Sequence, residues 1–144
     1  MKLLILNGPN LNMLGIREPE IYGTETYEAL CRKVLDYAAA HGVEAELYQS
    51  NHEGDLVDRI QAACGSADGI VINAGAYTHT SIALLDALKA VGLPAVEVHI
   101  SDPDAREPFR RVSYLRAACI ATISGHGLDG YTEAMALLIG ERSK

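Results

Sequence analysis

Glu97 and His99 stand two residues apart in the run Glu97-Val98-His99-Ile100-Ser101. On an extended strand such positions share one face, and Val96, Val98 and Ile100 take the other. A carboxylate beside an imidazole orients the ring and favours its cationic form, which suits a general acid for a departing hydroxyl. A structural ion pair at a strand end would have the same spacing. A second pair, Arg17 and Tyr22, lies in Gly15-Ile16-Arg17-Glu18-Pro19-Glu20-Ile21-Tyr22-Gly23. A free phenol ionises near pH 10, and an adjacent guanidinium can lower that by roughly 1–3 units, which makes a tyrosinate base accessible. The plain alternative is a packed loop tyrosine with a solvated arginine. Asn73 precedes Gly75 and Ala76, small residues that let backbone approach a ligand. Thr78 and Thr80 are candidate N-caps of a following helix, which would put His79 in a first turn that favours an anion. His79 could equally be a surface helix residue.

These residues need elements to carry them. Leu3 to Leu6 is a compact strand candidate. Tyr27, Leu30, Val34, Tyr37 and Ala38 follow helical spacing up to Gly42. Val43, Ala45 and Leu47 alternate with polar neighbours, as in a half-exposed strand near a sheet edge. Leu56, Val57, Ile60 and Ala63 mark a second helix closed by Gly65. Gly69 to Asn73 is a buried strand, and Ile82, Leu85, Leu88 and Val91 give a third helix ending at Gly92. Pro94 to Ile100 and Cys119 to Ser124 are further strands, and a terminal helix runs from about Leu128 to Glu141. The repeated β-α order implies an α/β fold of one domain spanning residues 1–144. Its five parallel strands are expected in flavodoxin-like order, with helices on both faces.

Ligands in such sheets bind beyond the carboxyl ends of the strands. His52, His79, His99 and His126 all follow predicted strand ends, and His41 does not. Two long connections, Gly8 to Gly23 and about Ser101 to Ala118, are candidates for functional loops.

Composition narrows the classes. The net charge is −7, with no basic footprint for nucleic acid. Arg106, Arg110, Arg111 and Arg116 form a local group suited to a small anion. Cys31, Cys64 and Cys119 are odd in number and lie in apolar segments, so buried free thiols in a reducing compartment are expected. No apolar run is long enough for a membrane span or signal peptide, and a cytoplasmic location follows. A P-loop, a G-x-G-x-x-G after the first strand, H-E-x-x-H and G-x-S-x-G are all absent. No ligand spacing suggests a metal. Lys2, Lys33, Lys89 and Lys144 all avoid the strand carboxyl ends, which disfavours a Schiff base.

Six segments, in order and correctly spaced, resemble the type II 3-dehydroquinate dehydratases. They are Asn7-Gly8-Pro9-Asn10-Leu11-Asn12, Arg17 to Gly23, Gln49-Ser50-Asn51-His52-Glu53-Gly54, Asn73 to Ser81, Glu97 to Ser101 and Ala105-Arg106-Glu107. The resemblance implies an anti elimination of water from 3-dehydroquinate through an enolate, without metal or other cofactor. It implies that Tyr22 is the base, promoted by Arg17 on a lid. Asn10 would hold a water against the enolate oxygen, and His99, oriented by Glu97, would protonate the leaving hydroxyl. Asn73 and the backbone N–H groups of Ile100 and Ser101 would hold the substrate carboxylate. His79 and Arg110 would bind ring hydroxyls, and Arg106 would assist the lid. It further implies a homododecamer, a tetramer of trimers, in which Asp86 reaches a neighbouring subunit's site. No nucleic-acid or membrane partner is implied.

The chain departs from the family's usual Ser-Asn-x-His-Ala-Arg-Glu at Ser101-Asp102-Pro103-Asp104-Ala105-Arg106-Glu107. Two added acids beside a carboxylate site should weaken binding unless Arg106 or Arg110 neutralises them. The Gly125-His126-Gly127 turn is also less apolar than the family's. Two other readings stay open: a flavodoxin-like, non-catalytic binder of a small carboxylate, and a lyase for a related cyclic polyol acid.

Overall fold

The computed structural model describes residues 1–16, 18–22 and 24–142, with Pro19 and Tyr22 described through their backbone alone. Five strands form one parallel sheet: β1 (Lys2–Asn7), β2 (Glu44–Gln49), β3 (Gly69–Asn73), β4 (Ala95–His99) and β5 (Ala121–Ser124). Their order is β2-β1-β3-β4-β5, the flavodoxin-like arrangement the alternation implied. Strand β2 is an edge strand and half-buried, matching its alternating sequence. The helices are α1 (Pro19–Tyr22), α2 (Tyr27–Ala40), α3 (Glu53–Ala62), α4 (Ile82–Val91) and α5 (Asp129–Arg142).

The central strands read Leu3-Leu4-Ile5-Leu6 and Ile70-Val71-Ile72, apolar at every position because both faces are covered. Odd positions of β1 and β3 pack with Leu30, Val34, Met135 and Leu138 of α2 and α5. Even positions pack with Leu56, Ile60, Leu84 and Leu88 of α3 and α4. Thr26 caps α2, its hydroxyl accepting from Ala29 N–H at 3.1 Å. Among the described residues no helix is long and apolar enough to cross a membrane.

Several details differ from the sequence reading. The N-cap of α4 is Ser81, which accepts from Leu84 N–H at 3.0 Å, and not Thr78 or Thr80. Gly75–His79 forms a separate 3-10 helix, so His79 lies before α4 and outside its first turn. Pro94 precedes β4, and Cys119 ends a 3-10 turn ahead of β5. Cys64 is exposed, whereas Cys31 and Cys119 are half-buried. Ala63 takes the inward position at that end of α3, and the next residue around the turn is directed outward. The long connection after β4 is three short 3-10 turns, Pro103–Ala105, Pro108–Arg111 and Leu115–Ala118.

Candidate active site

The strand order reverses between β1 and β3, and the loops leaving their carboxyl ends open a crevice there. Two glycines let these loops meet. A Cβ on Gly8 would stand 2.4 Å from the Ala74 carbonyl oxygen. Gly75 has φ +60, and its Cβ would lie 3.0 Å from the Pro9 oxygen. The crevice has a volume of about 250 Å³. Asn10, Asn73, His79, His99, Ile100, Ser101, Arg106 and Arg110 all line it, so eight of the twelve sequence-predicted site residues converge.

Most of these are held by contacts with neighbouring segments. Asn10 takes a left-handed φ of 70, which asparagine tolerates, and its N–H donates to Asn51 Oδ1 at 3.0 Å. Gln49 donates to the same oxygen and to the Gly8 carbonyl, which ties the first loop to the end of β2. At the end of β4, Gly125 N–H donates to the His99 and Ser101 carbonyls and Gly127 N–H to that of Ile100. The turn after β5 thus occupies the carbonyls of the segment whose N–H groups were expected to face a carboxylate.

Glu97 lies behind His99 on the α4 face of the sheet, fully buried. Its Oε2 stands 2.7 Å from His99 Nε2. Ser113 Oγ donates to both carboxylate oxygens at 2.7 and 2.8 Å, and Thr78 Oγ1 lies 3.3 Å away. Burial pushes the Glu97 carboxyl up. The hydrogen bonds from His99 and Ser113 and the charges of His99 and Arg116 outweigh it and hold the group below its ordinary value. An ionised carboxylate only accepts, so His99 Nε2 carries a proton and Nδ1 is left for the crevice. His79 Nδ1 is 2.6 Å from the Val112 carbonyl, so it too carries a proton and leaves Nε2 outward. Sequence reasoning missed Ser113 altogether and read Thr78 as a helix cap, not as a partner of Glu97. Neither sits at a strand end, and only folding brings them to Glu97.

Asn73 sits on the opposite, α5 face. Its Nδ2 donates to the Tyr131 hydroxyl at 2.9 Å, and that hydroxyl donates to Asn7 Oδ1 at 2.6 Å. Burial raises the Tyr131 phenol above its ordinary range, against the lowering hydrogen bond from Asn73.

Other expectations fall elsewhere. His52 and His126 follow strand ends but stand away from the crevice. The first precedes α3, exposed, and the second pairs with Glu133 at 2.7 Å. Asp86 is exposed on α4 and does not line this chain's crevice. Asp102 spends its carboxylate on Asp104 N–H at 3.0 Å, and Asp102 and Asp104 are both outside the crevice lining. Arg110 pairs with Glu107, its Nε 2.6 Å from the carboxylate. Arg17 and the side chain of Tyr22 lie outside the described residues. Among the described residues no group of three or more His, Cys, Asp or Glu could hold a metal.

Comparison with known proteins places this geometry in context. Residues 1–139 match the family model described as Dehydroquinase class II. A 3-dehydroquinate dehydratase of Clostridium acetobutylicum is 51% identical over 144 residues, covering 100% of both chains. One from Corynebacterium glutamicum is 56% identical over 137 residues, 95% of this chain and 94% of the relative. The crystal structure of a type II dehydroquinase from Butyrivibrio crossotus superposes with a TM-score of 0.95 at 50% identity, covering 96% of this chain and 97% of the other.

Proposed function

The chain belongs to the class II dehydroquinase family, and on that premise we propose that it performs an anti dehydration of 3-dehydroquinate through an enolate, with Tyr22 as base and His99 as acid. In this reading the Tyr22 phenolate, promoted by Arg17, takes a proton from the carbon beside the ketone. Charge moves onto the ketone oxygen, where a water held by Asn10 stabilises it. The His99 imidazolium then gives its Nδ1 proton to the leaving hydroxyl. The carbon–oxygen bond breaks, water departs and the conjugated enone forms. Asn73 and the N–H groups of Ile100 and Ser101 hold the carboxylate, and His79 and Arg110 hold ring hydroxyls. Arg106 assists closure of the first loop, which excludes water.

The observation that best supports the reading is the His99–Glu97 pair at 2.7 Å, on a crevice that Asn10, Asn73 and Arg110 also line. A buried, ionised Glu97 accepts one ring proton and leaves the other for transfer. The assembly is read as a homododecamer. Asp86 is exposed and away from its own crevice, which fits a role in a neighbour's site. Exposed Ile82, Phe109, Val112, Tyr114 and Ile120 fit subunit contacts. The free cysteines suit the reducing cytoplasm.

Incubation with 3-dehydroquinate should raise ultraviolet absorption from the enone. Tyr22→Phe should fold and bind but lose most turnover, and near-normal kcat in that variant would remove Tyr22 from the role. Turnover should survive chelators, and it should survive borohydride added with substrate. A reduced adduct on Lys2, Lys33, Lys89 or Lys144 would refute non-covalent chemistry. Light scattering should find a high-order oligomer; a stable, fully active monomer would sink the assembly.

A further inference from the structure

The relay behind Asn73 has only one consistent polarity. Gly75 N–H is purely a donor, so the Asn73 atom 3.2 Å from it is Oδ1. Nδ2 therefore faces Tyr131, and the Tyr131 oxygen must accept at 2.9 Å. The single hydroxyl proton is left for Asn7, whose Oδ1 lies 2.6 Å away. Turning Asn7 over would aim a second donor at that hydroxyl and strand its proton. In this orientation Asn7 Nδ2 is turned away from the relay, and the Tyr27 phenol, raised by burial, feels a lowering hydrogen bond from Asn7. Asn7 and Asn73 are register partners on adjacent strands, and Tyr131 comes from α5, fully buried beneath them.

We propose that Tyr131, backed by Asn7, is a positioning residue that fixes the Asn73 amide with its remaining N–H toward the crevice, as a dedicated donor to the substrate carboxylate. This rests on the carboxylate role given to Asn73 above. Without the relay only the 3.2 Å contact from Gly75 N–H holds the amide, and Asn73 turns more readily to present its oxygen, which repels an anion.

Tyr131→Phe removes only the hydroxyl. It should raise KM for 3-dehydroquinate about tenfold, the scale of a hydrogen bond to a charged group, while kcat stays within about threefold. Asn7→Leu should act the same way, and the double variant should be no worse than the worse single one, because both act through one link. Nuclear magnetic resonance of the Asn73 side-chain amide gives a readout independent of turnover: its protons should exchange slowly in the wild type and faster in Tyr131→Phe. A melting temperature that falls while KM and the Asn73 amide stay unchanged would reduce Tyr131 to a structural role and overturn the proposal. If the wild type does not turn over 3-dehydroquinate, the functional reading fails separately. The Asn73 amide then decides the relay, and exchange unaltered by Tyr131→Phe rejects it.

Discussion

Two polar networks serve the same crevice from opposite faces of one sheet, and they are built differently. On the α4 face Glu97 carries a charge and is held redundantly, by His99, by Ser113 through two contacts and by Thr78. On the α5 face Asn7, Tyr131 and Asn73 are neutral and joined by single links. A charge needs several donors to survive burial, and surplus donors make each one individually dispensable. A neutral relay needs only direction, and cutting one link leaves the Asn73 direction to the single contact from Gly75 N–H.

The harshest test of this contrast is His99, where the ionic network meets the crevice. His99→Gln should lower kcat about 10²–10⁴-fold, the usual worth of a general acid, with KM changing less. The relay variants should do the reverse and act on KM. If both networks moved kcat alike, the division between proton transfer and binding would be wrong.

Stability should separate them next. Tyr131→Phe leaves Asn7 Oδ1 and Asn73 Nδ2 buried and unpaired, and should cost about 1–3 kcal/mol in denaturant unfolding. Ser113→Ala should cost less, because Glu97 keeps His99 and Thr78. An equal or larger loss at Ser113 would show the ionic network is not redundant.

Their pH responses should be opposite. Glu97 is held below its ordinary value, so its contribution is complete above the ordinary carboxyl range and is lost as pH falls through its folded value. Tyr131 is raised, so its contribution is complete below the ordinary phenol range and is lost as pH rises. Tyr27, on the same face, is raised by burial to about 12 and adds to the alkaline slope. Glu97→Gln should flatten the acid limb of the stability curve, and Tyr131→Phe should soften the alkaline limb. Melting temperatures across pH would show it, and a substitution acting on the wrong limb would contradict the assignment.

The smallest expected effect is on thiol reactivity. Burial, with the Glu97 charge second, pushes the Cys119 thiol up to about 12. Timed alkylation at neutral pH should label exposed Cys64 first and Cys119 slowly. Glu97→Gln should speed Cys119 only modestly, since burial dominates. Equal rates for the two cysteines in the wild type would refute the burial reading.

The site was legible in the sequence wherever chemistry followed local period. Glu97 and His99 share a face because strands repeat every two residues, and that relation holds whatever packs above them. Asn10, Asn73 and Ile100–Ser101 could be placed at the crevice because parallel strands put their carboxyl ends on one edge. Arg17 and Tyr22 follow no such period: their residue types made them candidates beside a plain alternative, and only the resemblance put them in the lead. The same edge rule misjudged His52 and His126, because being at the edge does not put a side chain beside the reversal of strand order where the crevice opens. The expectation of a buried Cys64 failed over a single helical step.

By itself, then, the sequence determined the strands, the helices and which residues of one strand look the same way, since these depend on spacings of two to four residues. Only the tertiary structure decided what lies behind them. Ser113 reaches Glu97 across 16 residues, and Tyr131 joins Asn73 and Asn7 across 58 and 124. Such partners are set by how a loop folds over the sheet and how α5 is rotated on it. Those are properties of the packed core, which no local spacing encodes.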